Sequence, residues 1–244
     1  MSKRLNYCDG NLAEAYRTVS QRYSQLKTKP WKDFLTYHTL VRDEFNLPMS
    51  GTLIDIGSGN GRNLLIFKEQ DWHFLASDFS LELLKMLVSL PKEKISIINS
   101  DMRNIPLKEN IADFVLCIAA IHHLHNENDI INTLNNIANL TKNKGFVIIS
   151  CWRRWKKGSR IRILIDLLLY PIKKVLNRNW QHGDIFLPWY NDQKQIVAKR
   201  FYHLFTKREL LHLVKKSKLK VCNITCLGGK GKKDNYFLLL QKSI

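Results

Sequence analysis

Three histidines within four residues, in CIAAIHHLHN (Cys117 to Asn126), close a run of small and apolar side chains. Imidazoles at that density suit a metal site, general acid–base chemistry or a pH switch. A second cluster precedes them. DIGSGNG (Asp55 to Gly61) spaces glycines at 57, 59 and 61, which permits positive φ and a close backbone approach to a ligand. A helix opening there offers free N–H groups to a carboxylate or phosphate. Two more acids follow at Asp78 and Asp101. The first can accept from two ribose hydroxyls at once, and the second from an adenine amino group. Each acid alone could serve as an N-cap or turn residue; the set is not explained that way.

Positioning such a set is the task of the elements around it. TLIDIGSGNGRNLLIFKEQ reads as buried strand, glycine turn and helix, and HFLASDFSLELLKMLVSL repeats strand, acidic turn and helix. ISIINSDM is a third strand, IADFVLCIAA a fourth, DIINTLNNIANLT a helix and KGFVIISCW a fifth strand. Strands alternating with helices predict an α/β fold, a doubly wound, mostly parallel sheet with right-handed crossovers. Ligands bind beyond the carboxyl ends of such strands, where each polar residue above falls. Two helices, NLAEAYRTVSQRYSQL and KDFLTYHTLVRDEF, are expected before the sheet, split at Lys29-Pro30-Trp31. After Trp152 comes a basic, partly amphipathic insertion that Pro171 interrupts. Thr206 and Glu209 form a capping box for a later helix, and VCNITCL with NYFLLLQK predicts a closing antiparallel pair.

The 244 residues suffice for one α/β domain, and 45% hydrophobic content fits a folded chain. The expected parts are an N-terminal helical segment (1–50), a ligand-binding core (51–152), a basic insertion (153–200) and closing elements (201–244). No apolar leader opens the sequence and no run is long enough to span a bilayer, so a cytoplasmic protein is expected. The five cysteines are scattered, as for free thiols in a reducing compartment, and the Cys222/Cys226 pair lacks the companions of a zinc site. The net charge of +18 is unevenly placed. From Cys151 onward 22 lysines and arginines face five acids, while the first 150 residues hold 17 against 16. Such asymmetry points to a polyanionic partner, nucleic acid or an anionic membrane face.

The glycine turn with acids at three successive strand ends resembles a class I S-adenosylmethionine-dependent methyltransferase, which implies the seven-stranded version of this sheet. The histidines then follow the fourth strand, on the acceptor side. On an extended backbone His122 and His123 would point to opposite sides, with His125 past the turn, so three converging metal ligands are not expected. One histidine facing the acceptor and the other packed beneath it is one reading; purely structural histidines are the other. YSQLKTKPW, LIDIGSGNGRNL, ASDFS, IAAIHHLHN, GDIFLPWY and RFYHLFTKREL are similar, in order and position, to the eukaryotic-type methyltransferases of the tRNA wobble uridine, which esterify 5-carboxymethyluridine.

That resemblance implies cofactor contacts at Asp55, Gly57, Gly59, Asp78, Asp101 and Met102, joined by Ser58 (usually cysteine in the family), Phe79 and Cys117. It implies an acceptor side formed by His122, His123, Asp184, Pro188, Trp189, Arg200 and His203, with Trp31 before them. Arg200 or a histidine would clamp the acceptor carboxylate, Trp189 or Tyr202 would stack on its base, and Arg153 and Arg154 would meet anticodon-stem phosphates. The family also relies on a small zinc-binding activator protein that pairs along a sheet edge. The chain departs from the family at Leu26-Lys27, in place of Thr-Arg, and in the loop GGKGKKD. Three alternatives stay open: a small or lipid-like acceptor, with IRILIDLLLYPIKKVL lying on an anionic membrane, a non-catalytic cofactor-binding adaptor on RNA, and methylation of another nucleic-acid site.

Overall fold

The computed structural model describes residues 10–87, 90–158, 160–177 and 179–243. Helices α1 (Gly10–Leu26) and α2 (Lys32–Arg42) come first. Pro30 separates them by removing a donor and biasing Lys29 away from the helical region. There follow β1 (Ser50–Ile56), β2 (Asp71–Asp78), α3 (Leu81–Lys85), β3 (Ile95–Asn99) and β4 (Ala112–Ile118). The chain continues through α4 (Glu127–Leu140), β5 (Thr141–Trp152), α5 (Arg160–Leu176), β6 (Asp184–Tyr190) and β7 (Ile196–His203). It closes with α6 (Lys207–Lys215), β8 (Leu219–Leu227) and β9 (Asn235–Lys242).

The expected seven-stranded sheet is present, in the order β3-β2-β1-β4-β5-β9-β8. The first five strands are parallel, and β9 runs antiparallel between β5 and β8. Alternate side chains feed two cores. Ile54, Ile56, Val115, Cys117 and Val147 pack with Ile130, Leu134 and Ile137 of α4 and with Leu210 and Leu213 of α6. Leu53, Phe114, Leu116 and Ile148 pack on the other face with Phe34, Tyr37 and Val41 of α2. Burial on both faces explains why these strands read as unbroken apolar runs. The strand order reverses between β1 and β4, and a crevice opens beyond their carboxyl ends.

Three local expectations are corrected. The helix after the glycine turn is a short 3₁₀ segment, Arg62–Phe67. Fourteen residues must return past a seven-residue strand of about 23 Å, and the 3₁₀ rise of about 2 Å per residue covers more distance than an α-helix. Pro171 does not interrupt the insertion, because α5 runs through it. Both Pro171 and Leu167, whose carbonyl loses its donor there, lie on the exposed side, where water can bond that carbonyl. The segment Ile121–His123 is a 3₁₀ turn and not extended chain, so His122 and His123 pack edge to face, ring centroids 4.7 Å apart, instead of diverging. The separate β6-β7 hairpin was not anticipated in the insertion. The capping box of Thr206 and Glu209 forms as expected.

Candidate active site

The glycine turn sits where its sequence requires. Gly57, Gly59 and Gly61 all have φ between 57° and 69°. A Cβ on Gly57 would meet that of Ala120 at 2.4 Å, so only glycine keeps the crevice open there. Gly57, Ser58, Gly59, Asp78, Phe79 and Met102 line the crevice together. Asp78 accepts from the backbone N–H of Gly59 and of Ser80, each at 2.8 Å, which holds the acidic turn around the mouth. Burial still pushes its carboxyl up to about 6.

Asp55 lies beneath, at the end of β1, and is buried. Burial, then the charge of Asp78, pushes its carboxyl up to about 8. Among the described residues its Oδ2 has no hydrogen-bond partner, and neither has the Ser58 hydroxyl. A buried orphan acceptor costs free energy until a ligand donates to it. Beneath this crevice, whose wall also holds Arg62, lie two buried polar atoms to which a ligand's donor could be matched.

A second cavity, of about 550 Å³, shares Tyr16, Tyr23, Arg62, Ala119 and His123 with the first. Ala119 turns the chain between them with φ 56°, a left-handed conformation rare for alanine. Its N–H is held by the carbonyl (3.1 Å) and hydroxyl (3.0 Å) of Ser150. Trp31, Trp152, Trp189, Tyr202 and His122 add aromatic wall, and the charged lining is Lys27, Arg62 and Arg200 with no carboxylate. Burial and the charges of Arg62 and Arg200 lower the Lys27 ammonium. Arg200 lies 4.5 Å from the Trp189 ring and 5.3 Å from that of Tyr202, and its Nε is buried without a partner among the described residues. Arg62 also lines the crevice beside Asp78 and acts on Asp55, but within this second lining three cations crowd together without a carboxylate, which favours an anion.

Comparison with known proteins bears on the class. Residues 54–149 match the family model described as a methyltransferase domain. The fold is similar to a SAM-dependent methyltransferase from Methanosarcina mazei, with TM-score 0.66 at 16% identity over 84% of this chain and 97% of that one. Residues 54–149 thus carry a methyltransferase domain, on a fold shared with S-adenosylmethionine-dependent methyltransferases. The chain is 25% identical to the tRNA (carboxymethyluridine(34)-5-O)-methyltransferase of Schizosaccharomyces pombe over 98% of this chain and 99% of the relative. It is also 25% identical to the Saccharomyces cerevisiae protein of that name over 72% of this chain, and there it spans 55% of the relative's length.

S-adenosylmethionine fits the donor-seeking crevice: Asp55 and Ser58 would take its cationic end, and Asp78 its ribose hydroxyls. Two residues assigned to the cofactor by resemblance have other neighbours in the structure. The Asp101 carboxylate is held by Arg103, at 2.6 to 3.1 Å. Cys117 is buried in the core beside Asp55, where burial pushes its thiol up to about 12.

The histidines are held as neutral positioning groups. His123 Nδ1 donates to the Phe201 carbonyl at 2.8 Å, so Nε2 accepts from the Tyr16 hydroxyl at 3.0 Å. Burial brings its pKa down to about 4 against that carbonyl. His122 accepts weakly at Nδ1 from the Trp152 N–H (3.4 Å), and burial holds it well below its usual range. The His125 ring stacks on Phe201. Tyr202 stacks on Trp152, rings 2° from parallel and 4.3 Å apart, which leaves Trp189 as the tryptophan beside Arg200.

Asp184 and His203 are placed in a buried brace. His203 bonds Asp184 through Nδ1 (2.6 Å) and Glu209 through Nε2 (2.7 Å), and Glu209 also accepts from Arg154 at 2.9 Å. This chain ties the foot of the hairpin to the cap of α6. Arg154 serves the brace, bonding the Leu204 carbonyl as well. Pro188 lies on the outer side of β6, in a cleft with Asp184 and Arg162. Burial lowers the His203 pKa, but its two carboxylate partners outweigh that and raise it to about 9. A raised folded-state value gives stability that is fully present below the unfolded value of about 6.5 and lost as pH rises through about 9. His203→Gln therefore lowers Tm at pH 6 by several degrees and flattens the decline from pH 6.5 to 9, with calorimetry as the check. An unchanged pH profile rules out the brace.

The cavity residues missed by sequence reading are Tyr16, Tyr23, Lys27, Arg62 and Trp152. The one available signal was Lys27, at the position where the family carries arginine.

Proposed function

We propose that this chain esterifies the carboxylate of 5-carboxymethyluridine at the tRNA wobble position to the methyl ester. The supporting observation is the anion-seeking aromatic cavity, with Lys27, Arg62 and Arg200 and no acid, walled off from the cofactor crevice only by shared residues. The named activity of the relatives adds to it. A carboxylate with a reference pKa near 4 is ionised at neutral pH, so no base has to remove a proton. Bound S-adenosylmethionine supplies an electrophilic methyl on a sulfonium: an O–C bond forms as the C–S bond breaks, and sulfur keeps the electron pair. Arg200 clamps the oxygen that does not react, and the aromatic walls strip water from the one that does. Trp189 flanks the base, and the His123–Tyr16 pair fixes the floor between the two ligands.

Nucleoside mass spectrometry of tRNA incubated with methyl-labelled cofactor tests this. Label on 5-methoxycarbonylmethyluridine, released as methanol by mild alkali, is expected; alkali-stable label sinks the reading. At saturating cofactor, turnover should show no single-proton rise between about pH 6 and 8, since neither histidine is a base.

Arg153, Lys157, Arg160, Lys230, Lys232 and Lys233 line a groove of about 740 Å³ together with Trp155. Asp234 builds it by accepting from the N–H groups of Lys157 (2.8 Å) and Gly231 (2.7 Å). This groove would take the tRNA backbone. Replacing Lys230, Lys232 and Lys233 by Gln should reduce the slope of log affinity against log salt by about 2 to 3, with cofactor affinity unchanged. A slope that stays as steep moves the backbone elsewhere. The zinc-binding activator implied by the resemblance would pair with the edge strand β3, whose Ile97 is exposed.

A further inference from the structure

Helix α5 turns its apolar side away from the protein. Only Ile163 and Asp166 are buried among its described side chains, while Leu168, Val175 and Leu176 are exposed by 81%, 83% and 81%. At about 100° per residue, Leu164, Ile165, Leu168, Ile172, Val175 and Leu176 fall within an arc of about 120°. Arg162 and Lys173 border that arc on one side, and Arg160 and Lys174 on the other. The helix's one acid, Asp166, faces inward and accepts from Lys173 and from the Trp180 indole.

We propose that α5 is an interfacial anchor that seats this chain on an anionic lipid bilayer. An apolar stripe on a convex helix, about 25 Å long and bordered on both sides by cations, matches a helix lying at the level of the headgroups. Arg162, on one border, and Arg160, on the other, can reach the phosphates while their stems stay with the acyl region, and Lys173 and Lys174 add charge beside them. Within α5 four lysines and arginines accompany one acid, and that acid is buried. Pairing with a second copy about a two-fold axis would bring the same cationic borders together, so charge selects the lipid surface over self-association. No helix among the described residues is long and apolar enough to cross a membrane, so α5 lies in the plane. The proposal is independent of the acceptor assigned above.

The test is co-sedimentation of the full chain with vesicles of phosphatidylcholine alone or mixed with phosphatidylserine, beside light scattering without lipid. Binding to the mixed vesicles only is expected. Leu168→Gln with Val175→Gln keeps every charge and changes two exposed side chains, and should weaken partitioning about tenfold or more while cofactor affinity is unchanged. Unimpaired binding of this variant would reduce the attraction to surface charge and overturn the proposal. Failure of the wild type to bind overturns it too. A wild-type dimer that the variant breaks, without vesicle binding, assigns the face to a second copy instead.

Discussion

Arg200→Met raises the KM for tRNA by about 30- to 100-fold and lowers kcat by less than tenfold, with S-adenosylmethionine affinity unchanged. The split follows from the charge change along the reaction. The carboxylate enters with a full negative charge and leaves as a neutral ester, so a cation in contact with it is worth more before transfer than during it. Such a contact binds and orients; it does not selectively lower the barrier. A charge-assisted bond of about 1.5 to 3 kcal/mol sets the size of the KM effect. The modest loss in kcat comes from orientation, because a carboxylate held at one oxygen only can rotate its other oxygen off the line of attack. Arg200→Lys keeps the charge but not the fork and should recover part of the KM. On the proposed reaction the same logic would favour release: Arg62 and Arg200, whose charges already lower the Lys27 ammonium, would oppose it again once the anion is discharged. A fall in kcat at constant KM would contradict the clamp.

The sheet was legible because its strands are buried on both faces and its chemistry lies at strand ends. Asp55, the glycine turn and Asp78 are local in sequence, and the fold fixes where such turns converge. The acceptor cavity was less legible because its walls are brought together from far apart. Tyr16 reaches His123 across 107 residues, and no local pattern marks that bond. Ala119 carries no sign of its left-handed φ, which is imposed by two bonds to Ser150 on the neighbouring strand. Resemblance placed Asp184 and His203 on the acceptor side, while the structure gives them to a brace, since a buried acid and imidazole stabilise each other wherever they meet. Arg103 likewise takes up Asp101, a pairing only two residues long whose geometry the sequence does not specify.

Asp55→Asn weakens S-adenosylmethionine binding by about 10- to 100-fold and, without ligand, makes the protein more stable near pH 8. Both effects come from one atom. Oδ2 is buried without a donor among the described residues, so it is expensive to ionise, and a ligand's positive end bound beside it would relieve that cost. The carboxyl has its pKa raised from 3.8 to about 8 in the folded chain. Between those values the unfolded chain has released a proton that the native chain keeps, so stability falls as pH rises from about 4 to about 8. Asparagine does not titrate and removes that slope, leaving the part from Asp78, raised to about 6, and above pH 6.5 that from His203. A tenfold change in proton affinity is worth about 1.4 kcal/mol, so even a fraction of the rise at Asp55 corresponds to several degrees in Tm near pH 8. A cationic ligand reverses the preference by holding the carboxylate ionised, so binding to the wild type releases protons in buffers near pH 7 and binding to the variant releases fewer. Calorimetry in buffers of different ionisation enthalpy measures that release, and thermal scans from pH 5 to 8 measure the slope. Equal proton release by both proteins, or a variant that loses affinity without gaining stability, would show that Asp55 is charged and satisfied before the cofactor binds.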